Sequence, residues 1–213
     1  MKQLYWLVTS GKATIDSKKN IIQYNPFYGQ NPTSSGNISG NDTSELAPCI
    51  IKSNGVFENG KIEFKIKFDS SLGQCQLELD LKDNNKLRIG IDGHNYVFGI
   101  SKYDYEKNRV DHLSTGGVPQ NFNIEEEIRI MILIDGSNVE LFVNDVLAAN
   151  TFQNIRKSQI KFFIRSSNNV EIKSFKYEIE KPKAFVVLQF SNEFNELYDE
   201  VIKPVCEEFN LEC

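Results

Sequence analysis

From residue 56 to residue 179 apolar and polar positions alternate with a period of two. Ile62, Phe64, Ile66 and Phe68 alternate with Lys61, Glu63, Lys65 and Lys67. Leu77, Leu79 and Leu81 alternate with Glu78, Asp80 and Lys82, and Leu87, Ile89 and Ile91 resume after Asp83-Asn84-Asn85. Such runs set one face of each strand on a core and the other in water, the habit of antiparallel sheets. Asn59-Gly60, Asp92-Gly93, Asp135-Gly136 and Asn168-Asn169 are residue types that tolerate positive φ and mark tight turns. Short strands at this spacing predict an all-β fold, a sandwich or barrel. The opening MKQLYWLVTSGKAT reads as one more strand, with Trp6 in the core.

Two polar stretches interrupt the rhythm, residues 29–45 and residues 103–123, and both are predicted to be long surface loops. After Ile179 the pattern changes. Ala184 to Phe190 is a continuous apolar run, as in a strand buried on both faces. Ser191 or Asn192 then caps a predicted helix in which Phe194, Leu197, Tyr198, Val201, Val205 and Phe209 recur at helical spacing. Pro204 falls inside that helix and should bend it, since it has no N–H for the carbonyl of Glu200. The helix should lay Leu197, Val201 and Val205 on apolar surface. The division predicted is residues 1–180 as a β domain and residues 181–213 as the start of an α/β unit.

Composition narrows the function. The chain has 213 residues, 40% hydrophobic and 25% charged, with a net charge of −5. Residues 181–213 carry three lysines and seven acids, so the tail holds −4 of that charge. A net acidic chain without a basic face is a poor nucleic-acid binder. No stretch of 18 apolar residues is present to span a membrane, and no signal-peptide pattern opens the chain. A cytoplasmic location follows as the expectation, with Cys49, Cys75, Cys206 and Cys213 as reduced thiols and the sequons at Asn37 and Asn41 without weight. The cysteines lack zinc-site spacing, Gly116-Gly117 lacks the Lys-Ser/Thr of a phosphate loop, and no Asp/Asn loop is dense enough for calcium. No cofactor or metal is predicted.

Two stretches carry resemblances. Ile130-Met-Ile-Leu-Ile-Asp135, Gly136-Ser-Asn-Val-Glu-Leu-Phe-Val-Asn144-Asp145 and Ile160-Lys-Phe-Phe-Ile-Arg165 form a hairpin-and-return pattern. In this, residues 55–179 resemble the concanavalin A-like lectin and glucanase superfamily, especially its laminin-G-like members. The resemblance implies a two-sheet antiparallel jelly-roll sandwich. It leaves activity open, since lectins, hydrolases and inert modules share the fold. Lys183-Ala-Phe-Val-Val-Leu-Gln-Phe190, Phe194 to Pro204 and Cys206 to Leu211 resemble the first strand and helix of nucleoside 2-deoxyribosyltransferase-like and TIR-like nucleotide-binding domains. That implies a truncated α/β domain, its catalytic glutamate lying beyond residue 213.

The candidate chemistry is a set of carboxylates and aromatics. Glu78-Leu-Asp80-Leu-Lys82-Asp83 is similar to the Glu-x-Asp-x-x-Glu of laminarinase-type hydrolases, which would make Glu78 the nucleophile with Asp80 or Asp83 in support. Retaining hydrolysis needs two carboxyls about 5–5.5 Å apart. Asp83 shares the face of Glu78 and Asp80 only across a bulge and is one methylene short, so simple alternation on a solvated strand face is the favoured reading. His112, with Asp111 and Ser114 beside it, does not make a triad, which is assembled from separate elements; His94 and His112 read as loop polarity. Sugars stack on aromatic faces while polar groups hold their hydroxyls. Tyr96, Phe98, Tyr103 and Tyr105 with Arg88, Glu78 and Asp80 are therefore the candidate groove, and Phe98 is also a core candidate.

The reading carried forward is a non-catalytic module recognising a carbohydrate or protein through Glu78, Asp80, Arg88, Tyr96 and Tyr103, attached to a truncated nucleotide-processing domain. Self-association is expected, if anywhere, through the unpaired apolar strand 185–190. The alternative is a glycoside hydrolase using Glu78 with Asp80 or Asp83.

Overall fold

A computed structural model describes residues 4–29, 45–93, 96–118, 126–181, 186–187, 191–209 and 211–212. Strands alternate between two seven-stranded sheets. The first runs in the order β1 (Trp6–Ser10), β6 (Cys49–Phe57), β15 (Ser158–Arg165), β8 (Gln74–Asp80), β9 (Lys86–Ile91), β10 (Phe98–Asp104), β11 (Arg109–Gly116). The second runs β14 (Val146–Phe152), β13 (Asn138–Val143), β12 (Ile128–Asp135), β7 (Gly60–Phe68), β16 (Val170–Ile179), β3 (Ile21–Tyr24), β2 (Ala13–Asp16). A two-stranded ribbon joins β4 (Tyr28–Gly29) to β5 (Glu45–Leu46). Every pairing is antiparallel.

The period-two pattern builds the core as expected. Ile62, Phe64, Ile66 and Phe68 of β7 face Leu77, Leu79, Leu87, Ile89 and Ile91 of the opposite sheet, all buried. Each such side chain contributes roughly 1.5–3 kcal/mol of burial. Trp6 joins an aromatic cluster with Phe162 and Phe175, its ring centroid 5.4 Å and 5.0 Å from theirs. At the Asn59-Gly60 turn only glycine fits, because φ is +120° and an added Cβ would lie 2.1 Å from the Glu178 carbonyl oxygen.

The structure departs from the sequence reading in three places. Residues 103–123 are not one long loop: β10 reaches Asp104 and Arg109–Gly116 is the edge strand β11. Its inner positions are weakly apolar because an edge strand packs on one neighbour only, so the alternation is faint. In the tail, Val186 and Val187 are described and lie outside any strand, with Val187 94% exposed; the rest of the expected strand 185–190 lies outside the described residues, as do His94 and nearly all of the 29–45 loop. The helix does form, as α1 (Asn192–Leu197), a π turn over Tyr198–Ile202, and α2 (Lys203–Glu208). Leu197, Val201 and Val205 are exposed on it rather than laid on apolar surface; Cys206 is its buried side chain among those described. Ahead of Pro204 the helix passes through the π turn, where the Lys203 N–H reaches back to the Tyr198 carbonyl, and Pro204 stands in the first turn of the next helix, where its missing N–H costs no bond.

Candidate functional site

The outer face of the first sheet carries most of the buried polar side chains, Gln76, Glu78, Asp80, Arg88, Asp92, Ser101 and Lys161 among them, while on the second sheet Glu63 is buried among Lys61, Lys176 and Arg129. Alternation sends Gln74, Gln76, Glu78 and Asp80 of β8 outward, and register sets Glu78 opposite Arg88 on one side and Lys161 on the other. Asp80 stands opposite Lys86, which in turn faces Tyr103. A groove of about 540 Å³ runs over this face, lined among others by Gln76, Arg88, Asp92, Tyr103, His112 and Phe163.

The charges are tied to one another. Glu78, 3% exposed, accepts from Arg88 Nε at 3.0 Å, and Lys161 Nζ lies 3.9 Å from its other oxygen. Asp80 accepts from Lys86 and from Lys161 at 2.6 Å each, with Arg156 at 3.4 Å. Burial alone would raise the Asp80 carboxyl, but hydrogen bonds from Lys161 and Lys86 outweigh it and hold it at about 2. Such a group stays ionised near neutrality and is a poor proton donor.

Arg88 is clamped. Its guanidinium carbon is 3.7 Å from the Phe163 ring centroid and 4.5 Å from that of Tyr103, and Tyr105 meets Tyr103 edge-on at 4.5 Å. Cation–π contacts of this kind hold the plane of the guanidinium fixed. Tyr103 is itself anchored by its hydroxyl donating to Asn108 at 2.6 Å. Asp92 is engaged at both oxygens, by Gln74 Nε2 at 2.8 Å and by His112 Nδ1 at 3.3 Å.

Of the residues singled out from sequence, Glu78, Asp80, Arg88, Tyr103 and Tyr105 share this face. Glu78 and Asp80 are not on a solvated surface, as alternation had suggested; four cations bury them. Tyr96, 43% exposed, sits at one side with its ring centroid 6.3 Å from that of His112. Phe98 is in the core. Asp83 lies in the turn after β8, exposed and paired with Lys102, and no bulge carries it onto the face of Glu78. His112 pairs with Asp92, not with its sequence neighbour Asp111, which pairs with Arg109. Sequence reading missed Gln76, Asp92, Lys161 and Phe163; alternation along Ile160–Arg165 was the available signal for the last two.

A second hollow of about 580 Å³, lined by Glu58, Asn59, Asp135 and Glu180 among others, has among the described residues no aromatic side chain and no unpartnered buried group. The outer face of the first sheet is therefore the candidate site. Among the described residues no group of three or more His, Cys, Asp or Glu is placed to hold a metal ion, and no helix is long and apolar enough to cross a membrane.

Comparison with known proteins places the fold. Residues 29–178 match the family model described as glycosyl hydrolases family 32 C terminal. Among solved structures, the carbohydrate binding module CBM66 from Bacillus subtilis is 12% identical with a TM-score of 0.59, over 81% of this chain and 94% of that one. The Bacillus licheniformis beta-glucanase is 8% identical with a TM-score of 0.53, over 85% and 94%. A protein with a galectin-like fold from Bacillus subtilis is 12% identical with a TM-score of 0.52, over 80% and 87%. At these identities the likeness is one of fold, the jelly-roll sandwich. No curated protein matches the sequence.

Proposed function

The chain belongs to the glycosyl hydrolases family 32 C-terminal family, and from that premise we propose that it is a carbohydrate-binding module that holds sugar over the outer face of its first sheet without cleaving it. The observation that carries this reading is Arg88, fixed between Phe163 and Tyr103 and tethered to Glu78. It sets an oriented donor beside the exposed ring of Tyr105, which meets Tyr103 edge-on, the pairing that sugar hydroxyls and ring faces need. The same ion pairs argue against chemistry. Glu78 and Asp80 are each held by cations, Asp80 well below the usual carboxylate range, and Asp83 is turned away to Lys102.

The rival is a glycoside hydrolase using Glu78 and Asp80. One feature favours it: Lys161 touches both carboxylates, so they stand close together over a groove. Incubation with β-glucans separates the two, because turnover that disappears in Glu78→Gln would establish the hydrolase. A glycan array followed by calorimetry tests the module directly. Saturable sugar binding weakened by Phe163→Ala supports it, and a blank array removes it.

The role toward a nucleotide-processing tail rests on the resemblance of residues 183–211, and the cytoplasmic assignment on the absence of export patterns in the sequence. Both belong to the proposal, and the sugar-binding reading depends on neither.

A further inference from the structure

We propose that the groove is built for an acidic sugar, whose carboxylate is received by the Gln76 carboxamide between the guanidinium groups of Arg88 and Arg165. This rests on the carbohydrate-binding reading and adds the charge of the ligand. It starts from an orphan donor. Gln76 is 2% exposed, and its Nε2 is the one buried side-chain polar atom without a hydrogen-bond partner among the described residues. Buried donors are nearly always met, so one left unmet beneath a groove that its residue lines marks where an incoming acceptor is received once the carboxamide turns toward it.

The neighbours say what kind of acceptor. Along β8, Gln76 lies one outward position from Glu78, whose partner is Arg88, and one from Gln74, whose partner is Arg165. Each of those levels lies about 6.5–7 Å from Gln76, one on either side of it. Arg88 makes its protein hydrogen bond, among the described residues, through Nε alone, to Glu78. Arg165 is exposed, donates from Nε to the Leu46 carbonyl, and makes no ion pair among the described residues. At the level of Gln76 itself the next two strands on the β9 side present Gly90 and Gly99, so the row is open on that side, while on the β15 side Phe163 stands beside Gln76. The groove's own acid, Asp92, has both oxygens engaged by Gln74 and His112. What remains is rich in donors, the Gln76 Nε2 and two guanidinium groups, while the one carboxylate that lines the groove among the described residues is already engaged. A hydroxyl would bring its own proton into that company; a carboxylate brings two acceptor oxygens and the compensating charge, and guanidinium geometry suits it.

The test is calorimetric titration of the whole chain with oligogalacturonate and alginate oligomers, with fully methyl-esterified oligogalacturonate, and with neutral gluco-oligosaccharides. The free acid should bind at least tenfold tighter than its methyl ester, with the preference shrinking as salt rises. Gln76→Met and Arg165→Gln should each weaken acid binding tenfold or more, and Gln76→Glu should abolish it. Arg165 is exposed, so its replacement carries the test if Gln76→Met melts early. Neutral sugars or the ester binding as tightly as the acid would overturn the acidic ligand and leave the carbohydrate reading standing. Failure of every oligosaccharide, acidic or neutral, would overturn both.

Discussion

The Arg88 guanidinium lies over the Phe163 ring, its carbon 3.7 Å from the centroid, while its Nε reaches Glu78 at 3.0 Å. The ring and the carboxylate fix the guanidinium in two directions, so the arginine is oriented before any ligand arrives. Preorganised donors bind without losing rotamer freedom. Arg88→Lys keeps the charge and loses the planar stack. It should weaken sugar binding about tenfold, about 1.4 kcal/mol, with the melting temperature changing far less than for Arg88→Ala, which strands Glu78 in a buried position. Calorimetry and thermal melts on the two variants check this.

The Asp80 cluster makes a pH prediction. Its carboxyl is held at about 2 against an ordinary value of 3.8, so the folded state favours the ionised form. The contribution, on the order of 2 kcal/mol, is present above about pH 4 and lost as the pH falls toward 2. Urea denaturation between pH 6 and pH 2 should show stability falling across that window, and Asp80→Asn should flatten the fall. The same substitution should cost about 3–5 kcal/mol at neutral pH, because Lys86 and Lys161 lose their shared anion.

Buried thiols should be silent. Burial pushes the Cys49 thiol up to about 11 and Cys75 higher still, and both are fully buried. A thiol reagent at pH 8, read by peptide mass mapping, should leave Cys49 and Cys75 unmodified in the native protein and label them in urea. Fast labelling of either in the folded state would contradict the core packing.

Phe162 stands at the meeting of both sheets, 5.1 Å from Phe64 and 5.8 Å from Phe175 in edge-on contacts. Phe162→Ala should cost about 3–5 kcal/mol. Denaturant midpoints measure it, and a loss below 1 kcal/mol would mean the sheets can close over the gap.

Much of this was legible along the chain because burial in a sandwich has the period of the strand. Ile62 to Phe68 and Leu77 to Ile91 announced both faces, and with them that Glu78 and Arg88 point outward. The sequence did not show that the outward face is itself buried. Glu78 meets Lys161 across 83 positions, and Asp80 meets Arg156 across 76; such pairings are set by strand order, which alternation does not encode. Gln76 escaped notice because an uncharged polar residue on an outward position looks like any solvated one. Strand β11 is hard to tell from loop in the sequence because Val110, His112 and Thr115 carry little apolar signal on an edge. Pro204 marks a break in helical hydrogen bonding that is legible in the sequence, but the π turn before it depends on the Lys203-to-Tyr198 hydrogen bond.

The central claim is recognition without cleavage. It is tested most directly by titrating the whole chain with an oligosaccharide it binds and assaying the same mixture for new reducing ends. Saturable heat that is lost in Arg88→Ala, with the sugar recovered intact, is the predicted result. Release of reducing ends by the wild type, abolished by Glu78→Gln, would contradict it.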